Sequence, residues 1–378
     1  MSRPARSSSR TGRLLALVLV LFAAVLIGVV VYGLLAGRQL ALPPTPAAAP
    51  PVPGGQPALG ELVTVFFTDP KDPDRPQDRH GGLDERLAAF LREARASIDV
   101  AIYDLDLENV TGALVDASKR GVRVRVVTDS DNLKNEAIGT LTAAKIPVVD
   151  DKRNAIMHHK FAVVDGGAVW MGSWNFTVYD TYRYNNNAAL WRSKALAEKY
   201  AAEFEQLFQG RFGARARSEP PAADVVADEA RGVRIEAYFT PVDNPAPAIA
   251  GRIKGARASV LFLAYSFTDD AIGAAMLDRH RAGVKVRGVF ERTGSETSAS
   301  EYGRLKQAGA DVLQDGNRYL MHHKVIIIDE RTVVFGSYNF SASAQENNEN
   351  CLIVDSPELA RQFVAEFNRV YDKAAAAR

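Results

Sequence analysis

Met157-His158-His159-Lys160-Phe161-Ala162-Val163-Val164-Asp165 is followed by Gly172-Ser173-Trp174-Asn175-Phe176-Thr177. The same arrangement returns as Met321-His322-His323-Lys324-Val325-Ile326-Ile327-Ile328-Asp329 and Gly336-Ser337-Tyr338-Asn339-Phe340-Ser341. Both stretches fit H-x-K-x4-D-x6-G-S-x-N, and they hold four of the six histidines of the 378-residue chain. In a strand, residues two apart share a face. His158 therefore projects with Lys160, and His322 with Lys324, while His159 and His323 point the other way. The apolar run after each Lys carries the strand into a core, and Gly-Ser-x-Asn marks a tight turn with small polar donors. Two such copies would bring together two imidazoles, two ammonium groups and two amides. That set suits an anion with several oxygens, above all a phosphodiester. A satisfied core histidine would explain one such His, but not two matched constellations 164 residues apart. No metal site is read here: Lys beside each His repels a cation, no H-E-x-x-H occurs, and no carboxylate cluster accompanies the His residues. A P-loop is also absent.

Outward from the motifs, the chain repeats itself. Ala94-Arg95-Ala96-Ser97 returns as Ala256-Arg257-Ala258-Ser259. Each is followed by an apolar run ending in Tyr, Ile98 to Tyr103 and Val260 to Tyr265, which reads as a buried strand. Helical stretches follow, about 110–120 and 271–282. Then come Gly121-Val122-Arg123-Val124-Arg125 and Gly283-Val284-Lys285-Val286-Arg287, each a helix stop and a second strand. Strand, helix and strand with short links predict a parallel βαβ unit in each half. A short strand opens each half, near 62–67 and 235–239. Residues 61–213 and 233–378 are thus two homologous α/β lobes, and 214–232, with Pro220-Pro221, is the link between them.

The first sixty residues differ in kind. Leu14 to Ala36 is an uncharged run of 23 residues, long enough to cross a bilayer core of about 30 Å. Four Arg lie in the tail 1–13, and only Arg38 lies close behind the run. That bias predicts a single-pass anchor with a cytoplasmic N-terminus and an extracytoplasmic body. A signal peptide cleaved to release a secreted protein is the competing reading, but its apolar region is normally about 7–15 residues. Residues 37–60 are Pro- and Ala-rich and read as a semi-rigid spacer.

The charge balance is 46 Lys+Arg against 45 Asp+Glu. All five charged residues of 1–60 are Arg, so 41 basic and 45 acidic residues remain in 61–378, a net charge of −4. This counts against a packaging protein whose affinity rests on bulk positive charge. Arg123, Arg125, Lys285 and Arg287 read as a solvated face or generic anion steering. The single Cys351 rules out an intrachain disulfide framework.

The two motifs resemble the paired HKD motifs of the phospholipase D superfamily, which includes phospholipases, phosphatidyltransferases, nucleases and tyrosyl-DNA phosphodiesterases. The resemblance covers about residues 61–375. It implies two α/β lobes related by a pseudo-two-fold, each a central sheet flanked by helices, with one active site at their interface. It also implies cofactor-free, metal-independent phosphodiester cleavage through a phosphohistidine, with no obligate protein partner. One of His158 and His322 attacks phosphorus and the other protonates the leaving alcohol. Lys160, Lys324, Asn175 and Asn339 bind the non-bridging oxygens. Ser173 and Ser337 orient the turn or bind phosphate, and Asp165 and Asp329 complete the motifs in a mainly structural role.

Family members carry a carboxylate some 27 residues after the motif His. The second half supplies Glu349 there; the first half supplies Asn186, with Asp180 as another source of a carboxylate. A Glu partner raises a His pKa and an amide does not. On that ground His158 is expected to be the nucleophile and His322 the general acid. Three substrate readings follow. The first is phospholipid hydrolysis next to a membrane. The second is an endonuclease on DNA or RNA, whose bases Trp174, Tyr179, Tyr182, Tyr184 and Tyr338 could stack. The third is phosphatidyl transfer, as in a cardiolipin synthase.

Overall fold

The computed structural model describes residues 59–213, 224–228 and 231–377. The basic tail, the run 14–36 read from sequence as an anchor, and all of the Pro/Ala-rich spacer except its last two residues lie outside these. Among the described residues, no helix is long and apolar enough to cross a membrane.

The first sheet contains β1 (Val63–Phe67), β2 (Ser97–Ile102), β3 (Arg123–Thr128), β4 (Val148–Asp150), β5 (Lys160–Val164), β6 (Ala168–Gly172) and β7 (Asn187–Trp191). Their order across the sheet is β1-β7-β6-β5-β2-β3-β4. The second contains β8 (Asp224–Asp228), β9 (Val233–Thr240), β10 (Ser259–Ala264), β11 (Lys285–Phe290), β12 (Asp311–Gln314), β13 (Lys324–Ile328), β14 (Thr332–Gly336) and β15 (Glu349–Asp355). Its order is β12-β11-β10-β13-β14-β15-β9-β8. Apart from β8 the two orders are the same. Edge strand β8 is built from residues inside the stretch read from sequence as a link, and it pairs with β9.

The predicted βαβ units are present. β2 and β3 pair in parallel around α1 (Glu108–Lys119). β10 and β11 do so around α2 (Asp270–Arg281). The first strand of each unit, β2 or β10, is buried on both faces, which is why it reads as a continuous apolar run rather than as an alternation.

The motif strand then turns the sheet antiparallel. β5 lies against β2 and β13 against β10. Asp165 and Asp329, which end these strands, do structural work. Each adopts a positive φ near 50°. The Asp165 carboxylate accepts the backbone N–H groups of Arg95, Ala96 and Ser97 at 2.7–2.9 Å. Asp329 does the same for Arg257, Ala258 and Ser259. In both halves the motif Asp caps the backbone of the repeated Ala-Arg-Ala-Ser string at the start of β2 and β10.

The core joins the two halves. One buried cluster includes Phe161, Val163 and Met171 from the first sheet with Leu261, Val325 and Ile327 from the second. It also takes Phe204 from α3 (Lys194–Phe208) and Phe363 and Phe367 from α4 (Pro357–Ala376). Each sheet packs a separate core on its outer face. Residues Gln56–Arg378 accordingly form one compact unit.

Candidate active site

His158 and His322 sit just before their strands, not within them, because their backbone is used across the interface. The His158 N–H donates to the Asn348 carbonyl at 2.9 Å, and the Asn348 N–H to the Ile156 carbonyl at 3.0 Å. Likewise the His322 N–H donates to the Asn185 carbonyl at 2.9 Å, and the Asn185 N–H to the Leu320 carbonyl at 3.0 Å. Each half thus lends the other a two-bond parallel bridge.

The residue after each bridging Asn holds the ring. Both carboxylate oxygens of Glu349 lie 2.8 Å from His158 Nδ1. Asn186 Oδ1 lies 3.0 Å from His322 Nδ1, and Asp180 Oδ1 lies 3.4 Å from the same atom. Acceptors on Nδ1 fix both neutral rings as Nδ1–H tautomers, which leaves each Nε2 with its lone pair. Thr68 and Thr240 support these partners: their hydroxyls accept the N–H groups of Asn186 at 2.7 Å and Glu349 at 3.1 Å.

Each His and Lys of a motif shares a tyrosine. Tyr103 meets His158 edge-on at 5.1 Å and lies under Lys160 at 5.2 Å. Tyr265 meets His322 at 4.6 Å and lies under Lys324 at 4.6 Å. Both tyrosines end the repeated strand run, and that position was the sequence signal for them. The two Lys side chains are fully buried, each donating to the carbonyl of its own motif His, at 2.7 and 2.9 Å.

This packing sets the charges. Burial pushes Lys160 down to about 8 against the pull of Glu349. Burial and the charge of Lys160 hold Lys324 well below its ordinary value. Burial, Lys160 and Lys324 keep His158 well below its ordinary value. Burial and Lys324 push His322 down to about 3, opposed by Asp180. Glu349 is raised by burial to about 7. Two buried Lys side chains of lowered proton affinity facing two neutral imidazoles make a site that an anion would complete.

Several expectations need correction. Glu349 was expected on His322 of its own half, but it binds His158 across the interface. Partners are exchanged because β7 and β15 each begin at the other half's motif. The pKa argument that assigned the two His roles therefore loses its premise. Of the two roles read for Ser173 and Ser337, orienting the turn fits their contacts. Ser173 donates to Asn186 Oδ1 at 2.9 Å, and Ser337 accepts the Asn350 N–H at 2.9 Å. Asp165 and Asp329 lie at the far ends of β5 and β13, about 16 Å along the strand from the motif Lys, and are not part of the site. The Asn175 amide nitrogen is drawn to Asp180 at 3.3 Å, while Asn339 is half-buried. Gly172 and Gly336 are required by close approach, since a Cβ at either would meet the carbonyl oxygen of Asn187 or Asn350.

The aromatic and basic candidates divide. Trp174 and Tyr338 are core residues, and Tyr182 is buried with its hydroxyl on Asp84. Tyr184 lies 6.5 Å from His322, and Tyr179 is 48% exposed. Arg125 is tied to Asp99 and Glu205, and Arg287 to Asp311, so neither is a loose anion-steering charge.

Two α/β sheets with equivalent strand order and a doubled His/Lys constellation exchanged between them define a two-motif member of the phospholipase D superfamily. The family model described as "Cardiolipin synthase, PLD-like domain" matches residues 87–208 and 249–371, more than half of the chain, and the chain belongs to that family. A "Mitochondrial cardiolipin hydrolase" of Xenopus tropicalis is 36% identical over 126 residues, 33% of this chain and 60% of that protein. A "Phospholipase D" of Rickettsia bellii is 34% identical over 132 residues, 35% of this chain and 66% of that protein. The chain thus spans less than two thirds of either relative. In fold, it is similar to the phosphatidylserine synthase structure of Haemophilus influenzae, with a TM-score of 0.59 at 11% identity over 83% of this chain and 86% of that one.

Proposed function

We propose that the chain is a phospholipase D-type phosphodiesterase that hydrolyses phospholipids through a phosphohistidine on His158, with no metal ion. The observation that carries this reading is the exchange of Nδ1 partners, which leaves two Nε2 atoms and two buried Lys Nζ groups for one anion. His158 Nε2 attacks phosphorus, and the alcohol departs with a proton from His322 Nε2. His322 then takes a proton from water, the hydroxide displaces His158 from phosphorus, and the phosphate monoester leaves. Lys160 and Lys324 bind the non-bridging oxygens, joined by the amides of Asn175 and Asn339.

The order of the two His residues now rests on a different argument. A phosphorylated imidazole with Nδ1–H intact is a cation for the life of the intermediate. The buried Glu349 carboxylate stabilises it there. His322 needs its charge only until the alcohol leaves, and Asp180 together with the bound diester raises its proton affinity from the low value of the empty site.

Lipid is preferred over nucleic acid because of the first half's wall. Asp104 and Asp106 follow Tyr103 where the second half has Ser266 and Thr268 after Tyr265. Burial and Asp180 raise the Asp104 carboxyl and Lys160 pulls it back down, so this wall adjoins the site, and in its carboxylate form it would disfavour a polyanion. The names of the relatives and the proposed anchor at 14–36, which would hold the body beside a bilayer, point the same way.

The test is a panel with the full chain in EDTA: phosphatidylcholine, phosphatidylglycerol and cardiolipin vesicles, and single- and double-stranded DNA and RNA. Lipid turnover that persists in EDTA and vanishes in His158→Ala is expected. Nucleic-acid cleavage without lipid turnover would overturn the substrate. Loss in EDTA would overturn the metal-free mechanism. A phosphatidyl product made from an added alcohol would place transfer ahead of hydrolysis.

A further inference from the structure

The motif contains a second histidine in each half that this mechanism does not use. His323 is fully buried and turned away from the Nε2 atoms of the site. Its Nδ1 accepts from Asn187 Nδ2 at 2.9 Å, and its Nε2–H donates to Glu366 Oε1 in α4 at 2.9 Å. Glu366 is gripped by Arg369 through two bonds of 2.8 and 2.7 Å. Arg369 also donates to the Thr68 carbonyl at 3.0 Å, and the Thr68 hydroxyl accepts the Asn186 N–H. The chain of contacts closes on itself, because Asn186 and Asn187 are neighbours. Asn186 holds His322, and Asn187 holds His323.

We propose that Glu366, Arg369 and His323 form a positioning clamp for the His322 half of the site, reaching from the last helix into the first sheet. The reading rests on the mechanism above, in which His322 is the acid. The clamp fixes two adjacent side chains of one half against two adjacent side chains of the other. It therefore sets where His322 Nε2 points without touching the substrate.

The first half is built differently. His159 Nδ1 takes Asn350 Nδ2 at 3.2 Å, and its Nε2 lies 3.4 Å from Glu203. The position matching Arg369 is Gln206, whose amide oxygen accepts from Arg211. The guanidinium tie back to the opposite sheet belongs to the His322 half, where the ring partner is a neutral amide. On the His158 side the ring is already held by a carboxylate at 2.8 Å.

A positioning role and a merely structural one differ in their dependence on the leaving group. Bis(p-nitrophenyl) phosphate releases an alcohol that needs little protonation, whereas a phospholipid releases one that needs it fully. In Glu366→Gln, the single-turnover rate of alcohol release from phospholipid vesicles is expected to fall roughly tenfold, and first-turnover p-nitrophenol release from bis(p-nitrophenyl) phosphate to fall less than about twofold, a readout that excludes the later step in which His322 activates water. Arg369→Met should behave alike, and the double variant should be no worse than the poorer single one. Equal losses on both substrates, or none on either, would overturn the clamp. His322→Ala in the same single-turnover assay checks the underlying reading: if the first release slows equally on both substrates, the acid assignment fails independently of Glu366. Should the variants not fold, histidine nitrogen NMR of the wild-type chain decides. The clamp requires His323 to be the Nε2–H tautomer while His158 and His322 are Nδ1–H tautomers. An Nδ1–H or doubly protonated His323 would contradict it.

Discussion

Glu349 shows how one side chain can carry most of the asymmetry of a duplicated site. The two halves offer Asn348-Glu349-Asn350 and Asn185-Asn186-Asn187 in equivalent places. Changing one amide to a carboxylate distinguishes two otherwise matched imidazoles. Burial raises Glu349 to about 7. Above that value it is a carboxylate that supports the His158 cation, and as pH falls through it the support is lost. Activity in kcat/KM is therefore expected to drop on an acid limb near pH 7. In Glu349→Gln that limb should flatten, and activity at pH 8 should fall on the order of 10²-fold. A pH–rate profile of the two proteins checks this; an unchanged acid limb in the variant would assign it to another group.

At the scale of elements, the motif serves two ends of one strand. The His–Lys end faces the site, and the Asp end caps the start of the neighbouring strand. Burial alone would raise Asp165, but three backbone N–H groups take it below its ordinary value, and Asp329 behaves alike. The folded form thus prefers the carboxylate. Its contribution is present above the free Asp value of about 3.9 and is lost as pH falls through the lower folded value. Asp165→Asn with Asp329→Asn should lower stability at pH 7 by about 1 kcal/mol per site. It should also make the loss of Tm below pH 4 shallower, with kcat nearly unchanged. Thermal melts from pH 3 to 7 test this, and a large fall in kcat at full stability would return both Asp residues to the site.

At the scale of the molecule, a shared core forces two buried Lys side chains to face each other. Their lowered proton affinities, with Lys160 down to about 8 and Lys324 well below the usual value, describe a site awaiting an anion. A bound phosphate would restore the charged forms, so binding must take up protons. Calorimetry with inorganic phosphate at pH 8, in buffers of different ionisation enthalpy, should show net proton uptake, with affinity rising as pH falls through about 8. Phosphate should also raise Tm. Binding without proton uptake would mean that both Lys residues are already charged in the empty site.

The sequence by itself determined the duplication, the βαβ order, the four His and Lys residues of the two motifs and the class of chemistry. Those features are local: strand periodicity, helix stops and matched spacing act over a few residues. It also supplied Glu349 and Asn186 as ring partners, but with the wrong rings. Only the tertiary structure decided that exchange, along with the roles of Thr68, Tyr103 and Tyr265 and the tie from Glu366 and Arg369. Sequence repeats show which residues are equivalent. They do not show which equivalent residue crosses to the other copy, because that depends on how two sheets close over one core and which strand ends meet there.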